Sequence, residues 1–217
     1  MGFNFAKTFE ESRKIYESVL QDDNIGIPIR INKNNKNISK TLAKDFEQTA
    51  IRVQNQILQY CLQATFSIAT LISQGDYVEI FDLGTKITSS SVPIKQGIVY
   101  STITADPVSK ICSILVFNAS ATRYRDKENY NQYGEVISKT PNAKTGIPIY
   151  LEKATYRKVD YGVGQAREIT ATLYAHKDED IQWQDIIEYE DQKYRVDNID
   201  DIRKNNLIIA DLSNFME

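Results

Sequence analysis

The sequence predicts a mainly β protein with an N-terminal helical region, α+β overall, built from small β-barrel or sandwich units with a candidate duplication. Three observations carry this. Short runs alternating apolar and polar residues recur from residue 74 onward, each bounded by Gly, Pro, Ser or Asp. Aromatics are mostly tyrosine, 13 Tyr against 8 Phe and 1 Trp, and tyrosine with β-branched residues suits a pleated, half-buried surface. Only the first part of the chain spaces its apolar residues at helical intervals.

The first element reads as a helix. Thr8 and Glu11 form a Thr-x-x-Glu capping pattern, and Phe5, Phe9, Tyr16 and Leu20 share one face, with Glu10, Arg13, Lys14 and Glu17 largely off it. The polar run at 22–24 and Gly26 end it. Residues 25–31 alternate apolar positions but contain Pro28, which suits an edge strand or an extended arm. Residues 32–37 are a polar loop. From Ser39 to about Ala64, Leu42, Phe46, Ala50, Val53, Ile57 and Cys61 fall on a helical stripe, so a helix is expected through about Gln56, with 57–66 also able to enter a sheet.

Strand-like runs follow at 74–81, 97–103 and 111–117, separated by breakers such as Gly84, Pro93 and Asp106-Pro107. The polar, turn-rich stretch 123–146 reads as a linker. Strands resume at 147–152, 168–175, 186–189, 193–199 and 207–212. The expected organisation is a helical region with an arm (1–65), a first β unit (66–122), a linker (123–146) and a second β unit (147–217).

An internal repeat supports two units. Gly-Ile-Pro-Ile occurs at 26–29 and again at 146–149. Each copy is followed by a strand, a second strand, a turn and a closing apolar strand: 75–80, 96–106 and 113–117 in one half, and 184–189, 192–201 and 206–210 in the other. Gln, Tyr, Ile and Asp fall at 96, 100, 103 and 106 in the first, and at 192, 194, 199 and 200 or 201 in the second. Similar hairpin grammar also arises from sheet physics alone.

Composition narrows the function classes. With 26 Lys plus Arg against 29 Asp plus Glu, the net charge of −3 lacks the basic footprint of an autonomous nucleic-acid binder. Cys61, Cys112 and the single His176 are too few for a thiolate metal site, and both cysteines lie in apolar runs that bury thiols. No basic n-region precedes an apolar stretch, and no window approaches the length of a membrane span, so a soluble, unexported protein is expected.

Catalytic and cofactor signals are weak. His176 lies in a polar turn with no nucleophile beside it. Gly162-Val163-Gly164 lacks the Lys-Ser/Thr of a phosphate loop. The acidic groups Asp178-Glu179-Asp180 and Asp197, Asp200 and Asp201 lack calcium-loop spacing and read as solvated turns. No catalytic, cofactor-binding or metal residue is therefore assigned. Arg30, Lys33, Lys36, Lys40 and Lys44 cluster without an intervening acid, and Arg123, Arg125 and Lys127 lie together. On a monomer these are ordinary surface. Repeated around a ring they would line a channel and bear on DNA phosphates without reading sequence.

The C-terminal stretch resembles the tailed-bacteriophage head–tail connectors, the small-barrel head-completion or stopper proteins of the neck. The residues carrying this are Asp185, Ile187 and Tyr189, matching a D-x-(I/V)-x-Y strand, and Asp191, Gln192, Lys193, Tyr194 and Val196, matching a (D/G)-(Q/G)-K-x-Y-x-V hairpin. The likeness covers residues 147–213. It implies a non-enzymatic virion protein, assembled in the host cytoplasm, forming a ring between portal or adaptor and tail. Such a ring would extend or close the DNA channel, touch double-stranded DNA passively and give the tail a platform. It implies no cofactor and no membrane. The Pro-bearing segments, Ile27, Pro28 and Ile29 with Ile147, Pro148 and Ile149, are the expected inter-subunit arms. The alternative is an OB- or SH3-like module for single-stranded nucleic acid, with tyrosines as stacking platforms and Arg195 and Arg203 on phosphates. A hydrolase or nuclease would need a carboxylate cluster that the sequence does not assemble.

Overall fold

The computed structural model describes residues 5–31, 37–42, 48–53, 57–160, 166–200 and 206–215. It is mostly β with one N-terminal helix, and it divides into two units, Met1–Val116 and Phe117–Glu217.

In the first unit, helix α1 (Phe5–Gln21) starts before the Thr8 capping pattern, so Thr8 lies inside it. Three i,i+4 ion pairs, Lys7 with Glu11, Glu10 with Lys14 and Arg13 with Glu17, run along its surface. Of its apolar residues Leu20 is buried and Tyr16 half-buried, while Phe9, Ile15 and Val19 are exposed. An Asx turn at Asp22 ends the helix, its Oδ1 accepting from Asn24 N at 2.8 Å. The chain then turns so sharply into β1 (Gly26–Ile31) that a Cβ on Gly26 would sit 1.9 Å from the Leu20 carbonyl oxygen; only glycine fits.

Six further strands complete this unit: β2 (Asn37–Leu42), β3 (Gln48–Val53), β4 (Ile57–Ser67), β5 (Tyr77–Ile80), β6 (Lys95–Thr104) and β7 (Ser109–Val116). They form an antiparallel sheet in the order β2-β1-β5-β6-β7-β4-β3. The sheet curls until β2 meets β4, where the buried Thr41 hydroxyl donates to the Thr65 carbonyl at 2.8 Å. Ile29, Ile31, Phe66, Ile80, Val99 and Ile114 fill its interior.

The helix expected from Ser39 to Gln56 is replaced by β2 and β3, and the helical region of 1–65 shrinks to α1. The 25–31 segment is no arm either. β1 is paired on both sides, with Ile29 and Pro28 buried and Ile27 half-buried. Pro28 is tolerated because the β1–β5 ladder begins at Ile29; beyond it Pro28 only accepts, from Phe81 N at 3.1 Å.

The second unit is a closed antiparallel barrel of β8 (Ala119–Tyr130), β9 (Val136–Asp160), β10 (Ala166–His176), β11 (Ile186–Tyr189), β12 (Gln192–Asp200) and β13 (Leu207–Asn214), in the order β10-β13-β12-β11-β8-β9. Ile147, Ile149, Leu173, Ile187, Val196 and Leu212 lie in its core. The linker expected at 123–146 is instead β8 and β9, joined by a hairpin. Ile147 and Ile149 are buried barrel residues and Pro148 is half-buried, so the second expected arm is also a paired strand.

The two units share one circular strand order, β1, β2, β4, β5, β6 and β7 standing where β8, β9, β10, β11, β12 and β13 stand. Residues 62–80 correspond to 171–189 without a gap, because the partners match throughout: Leu62 with Ile114 and Ala171 with Leu212, Ser67 with Ser109 and His176 with Leu207, Tyr77 with Ile98 and Ile186 with Arg195. Loop bonds repeat as well. Ile68 N donates to Val108 O as Lys177 N does to Asn206 O, and Val99 N to Asp76 O as Val196 N does to Asp185 O. A register shift falls between Val99 and Ser101 and again between Val196 and Asn198.

The repeat expected from sequence is thus present in β5–β6–β7 and β11–β12–β13, with different residue matches. Register sets Gln96 against Lys193, not Gln192, and the two Gly-Ile-Pro-Ile copies lie on non-corresponding strands, β1 and β9.

Candidate functional site

The basic residues expected to line a channel are engaged inside their own units. Arg30 Nη1 donates to Glu79 Oε2 at 2.8 Å and its Nη2 to Thr88 O at 2.7 Å, and its guanidinium lies 5.2 Å from the Phe81 ring centroid. Lys40 Nζ donates to Asp23 Oδ1 at 2.7 Å and to Gln21 O at 2.8 Å, tying β2 to the end of α1. That contact holds the Asp23 carboxyl below the usual carboxylate range. Lys33, Lys36 and Lys44 lie outside the described residues.

Arg123 and Arg125 sit on β8 facing the loop after β10. Arg125 clamps the buried Asp185 with two bonds, Nε to Oδ1 at 2.6 Å and Nη2 to Oδ2 at 2.7 Å, and reaches Asp180 Oδ2 at 2.8 Å. Arg123, also buried, donates to Asp180 O at 2.7 Å and Glu179 O at 3.2 Å. Lys144 on β9 adds a 2.7 Å pair with Glu179. Burial pushes the Asp180 carboxyl up, but the hydrogen bonds from Arg125 and Gln182 and the charges of Arg125 and Arg123 outweigh it, and its pKa ends below normal. The acidic turn 178–180, read from sequence as solvated, is thereby stitched to the hairpin strands.

The other sequence candidates are equally occupied. His176 Nδ1 accepts from Asp178 N at 3.2 Å, holding a 3-10 turn at Lys177–Glu179. Asp197 is buried and bonded to Arg195 Nε at 3.0 Å. Asp200 lies on β12 half-buried, while Asp201, Arg203 and Gly162-Val163-Gly164 lie outside the described residues. Tyr77, Tyr174 and Tyr194 are buried, and the half-buried Tyr150 packs on Tyr174 at 5.7 Å between centroids. Cys61 and Cys112 are buried outside any disulfide, and burial pushes the Cys112 thiol up to about 12. Among the described residues no group of three or more His, Cys, Asp or Glu could hold a metal ion, and no helix is long and apolar enough to cross a membrane.

The feature that the sequence reading missed is the hairpin itself. The last β8–β11 pairing is Tyr124 with Ile186; from Asp126 opposite Pro141 to Tyr130 opposite Val136, β8 and β9 pair, among the described residues, only with each other. Side chains along this ribbon are largely polar, yet Tyr133 (79% exposed), Val136 and Ile137 (64%) present apolar surface near its tip. Asn131 organises the turn, its Oδ1 accepting from Tyr133 N at 2.8 Å and Glu135 N at 3.0 Å. The sequence signal was an adjacent Val-Ile pair inside an otherwise polar segment. The corresponding hairpin of the first unit, β1–β2, spans only 26–42.

No family model matches this chain, and neither the curated proteins nor the solved structures yield a match.

Proposed function

We propose that this chain is a non-enzymatic structural protein of the tailed-phage neck, of the head-completion or stopper kind, forming a ring between portal and tail. The observation that carries the reading is where the connector-like residues fall. Ile187 and Tyr189 lie on β11, Asp191 in the β11–β12 turn, and Gln192, Lys193, Tyr194 and Val196 on β12, one hairpin of a closed six-stranded barrel. Asp185, just before β11, anchors that hairpin to β8 through Arg125. The projecting β8–β9 ribbon adds support, since it offers unpaired strand edges and apolar tip residues suited to contact with neighbouring subunits.

The paired state of Arg30, Lys40, Arg123 and Arg125 weights this role toward a platform for the tail. Contact with passing double-stranded DNA, in this reading, falls to other residues. The test is incubation with portal rings followed by negative-stain microscopy. Rings of this chain stacked on the portal are expected; a chain that stays monomeric and does not bind portal rings overturns the reading.

A further inference from the structure

The first unit holds a cleft of about 570 Å3 between a strand edge and a helix. Glu17, Leu20 and Gln21 of α1 form one wall, Ile38 and Lys40 of β2 the other, and Leu71 stands at its rim. Among the described residues β2 pairs with β1 on one side only, and it ends the sheet. Its other side meets β4 at Thr41, while the stretch Asn37–Lys40 opens onto the cleft. A strand edge facing a helix across a groove is the geometry that accepts an added strand: main-chain bonds give affinity and the groove reads alternate side chains.

The corresponding loop is held differently in the two units. The residues corresponding to Ala69, Thr70 and Leu71 are Asp178, Glu179 and Asp180, of which Lys144 draws Glu179, and Arg123 and Arg125 draw Asp180, onto the barrel with ion pairs. In the first unit a single side-chain bond among the described residues, between Ser39 Oγ and Thr70 Oγ1 at 3.2 Å, joins the loop to β2, and Leu71 is 81% exposed and Ile38 54% exposed. Two apolar side chains at the mouth of an unpaired edge call for a strand that carries apolar residues.

The same chain carries one. The β8–β9 ribbon has unpaired edges over Asp126–Tyr130 and 136–141, and Val136 and Ile137 are exposed on it. The four residues Asn37–Lys40 span about 13 Å in extended form, which one edge of the ribbon covers. We propose that the ribbon of one copy adds to the β2 edge in the cleft of a second copy, setting Ile137 against Ile38 and Leu71, with Val136 on the opposite face of the added strand. Donor and acceptor are different surfaces, so the contact is head-to-tail and propagates to a ring when its rotation closes. This rests on the neck reading for its biological setting but not for its geometry.

Two double variants test it, Ile38→Glu/Leu71→Glu for the cleft and Val136→Glu/Ile137→Glu for the ribbon; all four positions are exposed, so folding is retained. Sedimentation velocity should show wild-type self-association weakened at least tenfold in each variant. A mixture of the two variants retains one intact ribbon and one intact cleft, and should form heterodimers and nothing larger. An Ile38→Cys chain mixed with an Ile137→Cys chain should give a disulfide-linked pair, with the buried native thiols silent. Variants that associate like wild type, a mixture that stays monomeric, or a cleft that accepts only a strand from another protein would each overturn the proposal. Heterodimers from a chain that ignores portal rings would sink the neck reading alone. Unaltered incorporation of both variants into portal-bound rings would sink the strand addition alone.

Discussion

Replacing Arg125 by Ala strips the buried Asp185 carboxylate of its bidentate partner and leaves only the Gln182 N–H at 2.7 Å to satisfy it. Breaking a fully buried pair costs roughly 3–5 kcal/mol, and since the Arg125 side chain is 27% exposed a loss of about 2–3 kcal/mol is expected, read from the urea midpoint. A loss below about 0.5 kcal/mol would place the pair among ordinary surface bridges. Asp180 gives the pH dependence. Its folded pKa lies below the ordinary 3.8, so its contribution is complete above about pH 4 and disappears as pH falls through the lower folded value. Asp180→Asn should flatten the acid limb of a stability-against-pH curve, and an unchanged limb would refute the assignment. None of these pairings was legible in the sequence: Arg123 and Arg125 are remote from Asp180 and Asp185 along the chain, and only the barrel's closure brings them together. The burial of Cys61 and Cys112, by contrast, could be read directly, because it depends on local apolar neighbours.

At the scale of elements, the correspondence between the units turns each loop into a control for the other. Ser73 N donates to Asp76 Oδ2 at 2.8 Å as Gln182 N does to Asp185 Oδ2 at 2.7 Å, and the residue before each Asp has positive φ, 87° at Gly75 and 68° at Gln184. A side chain in that conformation costs roughly 1 kcal/mol. Gln184→Gly should therefore stabilise the second unit by up to about 1 kcal/mol, measured by chemical denaturation, and a destabilised variant would show that the Gln184 side chain matters more than its backbone. The strands around these loops were legible because β5, β6, β7 and their counterparts are short runs rich in Val, Ile and Tyr, bounded by turn residues. The Ser39–Gln56 stretch was not, since Leu42, Ala50 and Val53 sit on two strands, β2 and β3, and their spacing along the sequence imitates a helical stripe. Pro28 misled because proline suits the first position of a pairing ladder as well as a sheet edge, and the β1–β5 ladder begins one residue on, at Ile29.

For the whole molecule, the two units draw on separate cores, one around Phe66, Ile80 and Ile114 and the other around Leu173, Val196 and Leu212. Phe66→Ala removes a fully buried ring and should cost the first unit about 3–5 kcal/mol. Amide hydrogen exchange should then accelerate through residues 26–116 while 119–214 keeps its protection; uniform acceleration would mean that the two cores unfold as one. The duplication was partly visible in the sequence, but only topology reveals which strands correspond, because the longest identical string falls on strands that do not. Strand β9 has a mechanical consequence. It runs 25 residues, about 80 Å of extended chain, pairing first with β8 in the ribbon and then with β10 as far as Asp160 opposite Ala166. Tension applied at the ribbon tip would pass down a covalently continuous strut, loading the ladder bonds in shear along their length and not one at a time. A subunit held by that tip would be anchored through its barrel wall.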